Sequence, residues 1–186
     1  MLVETCVKTI ELREYAKKLG YDEVLSEDKY DSRYRLSLEL SSKEEIAKYI
    51  RKIKDNKVIL FVKPLSFEAF KYSLQSPKVA ALILDRKNIG LIGKKGSLNL
   101  IRQAKKPVEI QLKNLEVDVI YKVIQWNKWI EYPILSSCAS KFNEIWSPLS
   151  KFSLLVTLGA NESDALKWIY NNPTLLIGNY DRTATY

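Results

Sequence analysis

The sequence predicts an α/β fold, a (β/α) barrel of the TIM type, compact and irregular, formed as a single domain over residues 1–186. Three observations lead there. Eight apolar or alternating runs begin at Leu2, Asp22, Tyr34, Val58, Val79, Val108, Ile134 and Leu175, and helical stretches separate nearly all of them; eight is the number of strands that closes such a barrel. Val58 to Val62 and Val79 to Leu84 are continuously apolar, the mark of parallel strands covered by helices on both faces. A chain of 186 residues sustains one well-buried core and is short for two ordinary domains. The fold typically occupies ~250 residues, so the helices must be short and the barrel irregular. A doubly wound open sheet is the alternative arrangement of the same elements.

Taken in order, Leu2 to Val7 reads as the first strand. Lys8 to Leu19 follows as a helix with Ile10, Leu12, Tyr15, Ala16 and Leu19 on its apolar side, stopped at Gly20. Asp22 to Ser26 is a short second strand. Glu27 to Arg33 is highly charged and reads as an exposed loop, and Tyr34 to Leu40 alternates strictly as a third strand. Ser42 and Glu45 have the spacing of a capping box, and Ile46, Tyr49, Ile50 and Ile53 form one face of the next helix. Ser66 caps a helix to Leu74, and Ser76-Pro77 ends it. Gly90, Gly93 and Gly96 punctuate a basic loop, Ser97 caps a helix ending near Lys105, and Val108 to Leu112 is the sixth strand. A longer helical region, about 116 to 130, precedes Pro133. Ser147-Pro148 supplies an N-cap followed by proline at the first helical position. Leu149, Phe152, Leu155 and Val156 then recur at helical spacing, Gly159 suits the C-terminal cap, and Asn161 caps another helix. Asn172-Pro173 stops that helix, and Leu175 to Ile177 resumes extended structure as the eighth strand.

Composition narrows the chemistry. Histidine is absent, which removes the commonest general base and metal ligand and with them Ser-His and Cys-His triads and histidine-dependent metal centres. Cys6 and Cys138 are too few for a disulfide framework or a four-ligand zinc site and read as small core residues. No apolar run approaches the roughly 20 residues needed to span a bilayer, and the start of the chain lacks a signal-peptide pattern, so a cytoplasmic protein without a membrane partner is the expectation. The net charge of +8 is uneven: residues 1–85 carry +2, residues 86–151 carry +7 and residues 152–186 carry −1. From Arg86 to Val108 there are seven cations and no carboxylate, a stretch suited to phosphate.

The segment from Pro133 to Asn179 shows an apolar strand ending in Ser136-Ser137-x-Ala139, a segment ending in Ser147-Pro148, a helix ending in Leu158-Gly159, a short helix, and Asn172-Pro173. This order resembles the C-terminal part of the archaeal ribonuclease P protein component 3 family, the 30 kDa subunit family of ribonuclease P and ribonuclease MRP. Glu11 to Ser26 looks like that family's first helix and second strand, and Lys106 to Leu112 looks like a strand with an Ile/Glu-rich motif. Family members often place glycine after the paired serines, where this chain has Cys138. The resemblance implies a (β/α) barrel and a subunit of the ribonucleoprotein that removes the 5′ leader from precursor tRNA. It implies that the ribonuclease P RNA performs the chemistry with Mg²⁺, this chain holding no cofactor. Its partners would be that RNA, protein component 2 in an assembly with two copies of each, other ribonuclease P proteins and, indirectly, precursor tRNA. Lys63, Arg86, Lys87, Lys94, Lys95, Lys105, Lys106 and Lys141 are the RNA contacts this reading selects.

Strand ends expected at the top of the barrel include Ser26, Glu39, Lys63, Asp85, Gln111, Ser136 and Ser137. Glu39 and Asp85 are the candidates for a metal, in an alternative reading as a free-standing phosphoesterase-like barrel hydrolase acting on an anionic substrate. Without histidine, their pairing with Lys63 or Arg86 is the expectation, with no metal and no catalytic residue. A Ser-Lys dyad using Lys63 or Lys141 is the remaining nucleophilic option, against capping roles for the serine hydroxyls. The glycines from Gly90 to Gly96, with Lys94 and Lys95, match neither a Walker A nor a Rossmann pattern. Leu155 to Trp168 has helix-turn-helix spacing, but Glu162 and Asp164 against Lys167 give the wrong charge balance for a DNA groove. Trp126, Trp129, Trp146 and Trp168 are assigned to the core or to a protein contact.

Overall fold

The computed structural model describes residues 1–53 and 57–183, with the side chains of 179–183 left aside. Seven strands, all parallel, run in sequence order around a nearly closed barrel in one domain: β1 (Val3–Val7), β2 (Glu23–Ser26), β3 (Tyr34–Leu40), β4 (Val58–Pro64), β5 (Val79–Leu84), β6 (Val108–Gln111) and β7 (Pro133–Ser136). A doubly wound sheet reverses its strand order at a switch point, and no reversal occurs here. Around the barrel lie α1 (Glu11–Lys18), α2 (Lys43–Lys52), α3 (Phe67–Gln75), the single turn α4 (Ile89–Ile92), α5 (Lys95–Ala104), α6 (Val117–Gln125), α7 (Pro148–Thr157), α8 (Glu162–Leu166) and α9 (Asn172–Thr183).

The capping chemistry places most helices where the spacing predicts. Ser42 and Glu45 form both bonds of a capping box, Ser66 Oγ accepts from Ala69 N–H at 3.1 Å, and Asn161 Oδ1 accepts from Asp164 N–H at 2.8 Å. Ser147 caps α7 with Pro148 in its first turn, where proline lacks only a donor the helix does not use. Ser97 is a correction: it lies inside the first turn of α5, whose N-cap is Lys94, and its hydroxyl donates to Leu91 O at 2.9 Å. The turn α4 intervenes, so α5 begins two residues before the predicted cap. α6 ends at Gln125, short of the expected 130.

The expected eighth strand is absent among the described residues. Leu175 to Ile177 belongs to α9, which continues from α8 through a π-helical turn, Lys167–Asn171. Nor does Asn172-Pro173 stop the helix. Proline lacks an N–H and crowds the carbonyl four residues back, and a widened π turn immediately before it relieves both demands. Trp168, Ile169, Asn172, Leu176 and Ile177 are all buried, in two stripes four residues apart, and Leu175 is exposed. Leu176 and Ile177 join Val3, Leu25, Ile59, Phe61, Ala81, Ile83 and Ile134 in the cluster that fills the barrel interior. Asn172 Nδ2 donates to Pro133 O at 2.7 Å and Thr174 Oγ1 to Met1 O at 2.7 Å, fixing α9 against the starts of β7 and β1.

Between β1 and β7 the sheet has one isolated bridge, Val7 to Ala139, supported by Lys8 N–H donating to Ala139 O at 2.8 Å. Cys6 and Cys138, both fully buried, are joined there by a disulfide. Expected only as small core residues, they crosslink the seam. Cys138 has φ +48°, a left-handed conformation that a residue with a Cβ adopts at a cost. Among the described residues no helix is long and apolar enough to cross a membrane.

Candidate nucleic-acid interface and the rim of the barrel

The strict alternation of β3 sorts its side chains to opposite faces. Leu36, Leu38 and Leu40 turn outward to α2 and α3, packing with Ile46, Ile50 and Ala69. Arg35, Ser37 and Glu39 therefore turn into the barrel. Arg35 is fully buried, and its guanidinium grips Glu109 of β6 with both arms, at 2.6 and 2.5 Å. It also donates to Thr5 O at 2.8 Å and Ser37 Oγ at 2.7 Å, and lies 3.8 Å from the centre of the Phe61 ring. Thr5 Oγ1, at 2.6 Å, and Gln111 Nε2, at 3.3 Å, also donate to the Glu109 carboxylate. Burial pushes the Glu109 carboxyl up, but the Arg35 charge and these hydrogen bonds outweigh it and hold it below the ordinary carboxylate value.

From this pair a chain of bonds climbs to the rim. Ser37 Oγ donates to Glu27 at 2.6 Å, and Lys8 Nζ donates to the other Glu27 oxygen at 2.6 Å. Beside it, Ser26 Oγ donates to Asp31 at 3.0 Å, and Arg13 also binds Asp31, at 2.9 Å. Across the mouth, Lys63 sits between Glu39 and Asp85, 2.8 Å from Asp85, and Lys87 donates to Glu39 at 3.0 Å. The bonds from Lys63 and Lys87 lower the Glu39 carboxyl. Burial acts to lower the Lys63 ammonium, and its two carboxylates reverse this and raise it. Arg86 is clamped on Asp118, at 2.6 Å for the closest contact, while its backbone N–H donates to Glu116 at 2.9 Å.

The eight expected RNA contacts therefore do not form one patch. Lys63, Arg86 and Lys87 lie at the mouth and are each engaged by carboxylates. Lys94 and Lys95 stand exposed at the start of α5, without an ion pair among the described residues, and Lys141 is exposed in the loop after β7. Lys105 is exposed at the far end of α5. Lys106 is at that opposite end too, half-buried, donating to Ser76 O at 3.0 Å and Val79 O at 2.7 Å; burial lowers its ammonium to about 8.

The paired serines have separate places. Ser137 Oγ donates to Glu4 at 2.6 Å and accepts from Trp146 N–H at 3.1 Å, so it braces the loop after β7. Lys151 reaches Glu4 at 2.7 Å, a second buried ion pair, outside the barrel wall. Ser136 Oγ is buried with no hydrogen-bond partner among the described residues. Glu39 and Asp85, the candidate metal pair, share Lys63 between them. Among the described residues, one metal-compatible grouping occurs elsewhere, Cys6, Cys138 and Glu27, and there the two sulfurs are bonded to each other.

Neither a family model nor a curated protein matches the sequence. The fold has a solved counterpart. A chain of the cryo-EM structure of archaeal ribonuclease P with mature tRNA superposes with a TM-score of 0.76, over 97% of this chain and 91% of that one, at 13% identity. At that identity the likeness establishes a shared fold.

The sequence reading overlooked Arg35, Glu109, Thr5, Glu27 and Lys8, which build the rim-to-interior network. Its signal was present in β3, where the polar members of the alternation are Arg35, Ser37 and Glu39. An exterior polar face is the usual meaning of such a pattern. In a barrel whose helices cover the other face, the polar positions point inward instead.

Proposed function

We propose that this chain is a protein subunit of ribonuclease P, supporting RNA-catalysed removal of the 5′ leader from precursor tRNA. The observation that carries the reading is the likeness of nearly the whole barrel to a chain of archaeal ribonuclease P. The charge pattern and the absence of histidine agree with it. In this reading the chain corresponds to protein component 3 and pairs with component 2, two copies of each, beside other ribonuclease P proteins. The active site and its Mg²⁺ belong to the RNA. This chain itself is non-catalytic: the rim carboxylates hold lysines, and the Ser137 hydroxyl is bonded to Glu4. Cations on its surface stabilise the folded RNA by displacing counterions from phosphates.

Reconstitution tests it. Cleavage of a precursor tRNA by an archaeal ribonuclease P RNA, measured at limiting Mg²⁺, should rise when this chain and component 2 are added together. Equal cleavage with and without this chain would sink the reading.

A further inference from the structure

We propose that the RNA backbone lies on the outer helical layer, in the groove between α2 and α3 and across the far end of α5, and not over the mouth of the barrel. The inference rests on the ribonuclease P reading and specifies the surface that reading leaves open. One contrast carries it. At the mouth, Lys8, Lys63, Arg86 and Lys87 each have a carboxylate within 3.0 Å, and Lys94 and Lys95 at the start of α5 are the exposed cations at that end without an ion pair among the described residues. An RNA phosphate arriving there competes with bonds already made, and it meets Glu39, Asp85 and Asp118 along with the cations. On the outer layer the cations are available. The α2–α3 groove encloses about 610 Å³ and is lined by Lys48, Arg51, Lys52 and Tyr72, with Ala47 between them. Among the described residues its lining carboxylate is Glu44, which lies 3.9 Å from Lys43, and Glu68 also approaches that lysine, at 3.5 Å. Lys48, Arg51 and Lys52 make no ion pair among the described residues.

The spacing is suited to a polyanion. Positions 48, 51 and 52 are three and four residues apart and form one stripe of α2. The helices α2, α3 and α5 follow β3, β4 and β5 in order, so they are neighbours on the barrel surface. Arg51 and Lys52 end α2 at the same end of the barrel where Arg102 and Lys105 end α5. α2 and α5 each pack on α3, which stands between them, so the two basic ends flank the end of α3. Ala47 leaves the floor of the groove low, and Tyr72, half-buried on α3, offers a ring face on which an unpaired base stacks. Cations flanking an aromatic floor are the chemistry of a single-stranded or looped RNA segment. A nucleic-acid duplex would use the cations and leave Tyr72 idle.

The test is salt-titrated binding of the full chain to an archaeal ribonuclease P RNA transcript, with circular dichroism confirming that each variant is folded. Each phosphate contact contributes about 0.7–0.9 to the slope of log affinity against log salt. K48A/R51A/K52A should lower that slope by about two and weaken binding at least tenfold at 0.15 M salt. R86A/K87A should leave the slope unchanged. Y72A should weaken binding about tenfold with the slope retained, and Y72F should bind as wild type. An unchanged slope in the groove variant beside a salt-dependent wild type would overturn the groove and leave the subunit reading standing. An equal fall in R86A/K87A would return the backbone to the mouth and overturn it as well. Salt-independent or absent wild-type binding would remove the subunit reading together with the groove.

Discussion

Replacing Arg35 by methionine should be among the most damaging single changes in this protein, and the structure fixes why. The guanidinium makes two bonds to Glu109, one to Thr5 O and one to Ser37, all in a fully buried position against Phe61. Its removal leaves the Glu109 charge inside the barrel with only Thr5 and Gln111 as donors. Breaking one side of a buried pair costs about 3–5 kcal/mol. In a chain of this size each kcal/mol shifts the melting temperature by about 2–4 °C, so R35M should melt about 6–20 °C lower. E109Q should lose less, because Glu27 remains 3.8 Å from Arg35 and answers part of its charge. R35M/E109M removes both charges at once and should return to within about 2 kcal/mol of wild type, since burying ions is itself expensive. Acid titration adds a sign. The folded Glu109 carboxyl lies below its unfolded value of 4.5, so its contribution is present above that pH and disappears as the pH falls through the folded value; E109Q should flatten that limb. Urea unfolding followed by tryptophan fluorescence, at several pH values, supplies all four free energies. A loss under about 1 kcal/mol for R35M, or R35M/E109M no more stable than R35M alone, would refute the claim of a coupled buried pair.

Lys106 should show the same pH sign in a higher window. Its folded ammonium titrates near 8 against 10.5 when unfolded, so the unfolded chain holds the extra proton between those values and stability rises with pH across that window. K106M should abolish the rise, and a wild-type stability curve that is flat from pH 8 to 10 would contradict it. Gly93 and Gly96 should separate cleanly on substitution. A Cβ at Gly93 would stand 2.5 Å from the Trp126 ring, and G93A should cost about 1–3 kcal/mol. Gly96 faces open space inside α5, and G96A should stabilise by about 0.5–1 kcal/mol; equal melting temperatures for the two would count against the Trp126 contact. For α9, L176A and I177A should each cost about 2–4 kcal/mol and L175A under about 0.5 kcal/mol. Comparable losses at 175 and 177 with none at 176 would instead match the alternation of a strand.

What was legible in the sequence was local. Caps such as Ser42, Ser66, Ser147 and Asn161 act over three residues, and the apolar runs of β4 and β5 state their own burial, so the order of elements and the barrel class could be read directly. The final element misled because Leu175 to Ile177 is too short to have a period of its own. Only together with Trp168, Ile169 and Asn172 does its four-residue spacing appear, and Pro173 stood in the way of extending the helix. The basic stretch from Arg86 was legible as composition, but its neutralisation was not. Asp118 is 32 residues from Arg86, and Glu39 is 48 residues from Lys87. Charge runs show which side chains are present, and only the folded barrel shows which of them are already answered.

The seam between β1 and β7 sets the order of events in folding. Each of the six ladders joins strands adjacent in the sequence, so the sheet can grow by successive short closures. Joining Cys6 to Cys138 spans 132 residues, and α9 must arrive before the floor between β1 and β7 is filled. Contacts of such separation are the costliest in chain entropy and form after local ones. The ring should therefore shut last and, once the disulfide is reduced, open first. In the reduced protein, amides around Val7 and Ala139 are expected to exchange with solvent by a lower-energy opening than those of β4 and β5, so that the barrel behaves as a curved ladder whose latch is the disulfide.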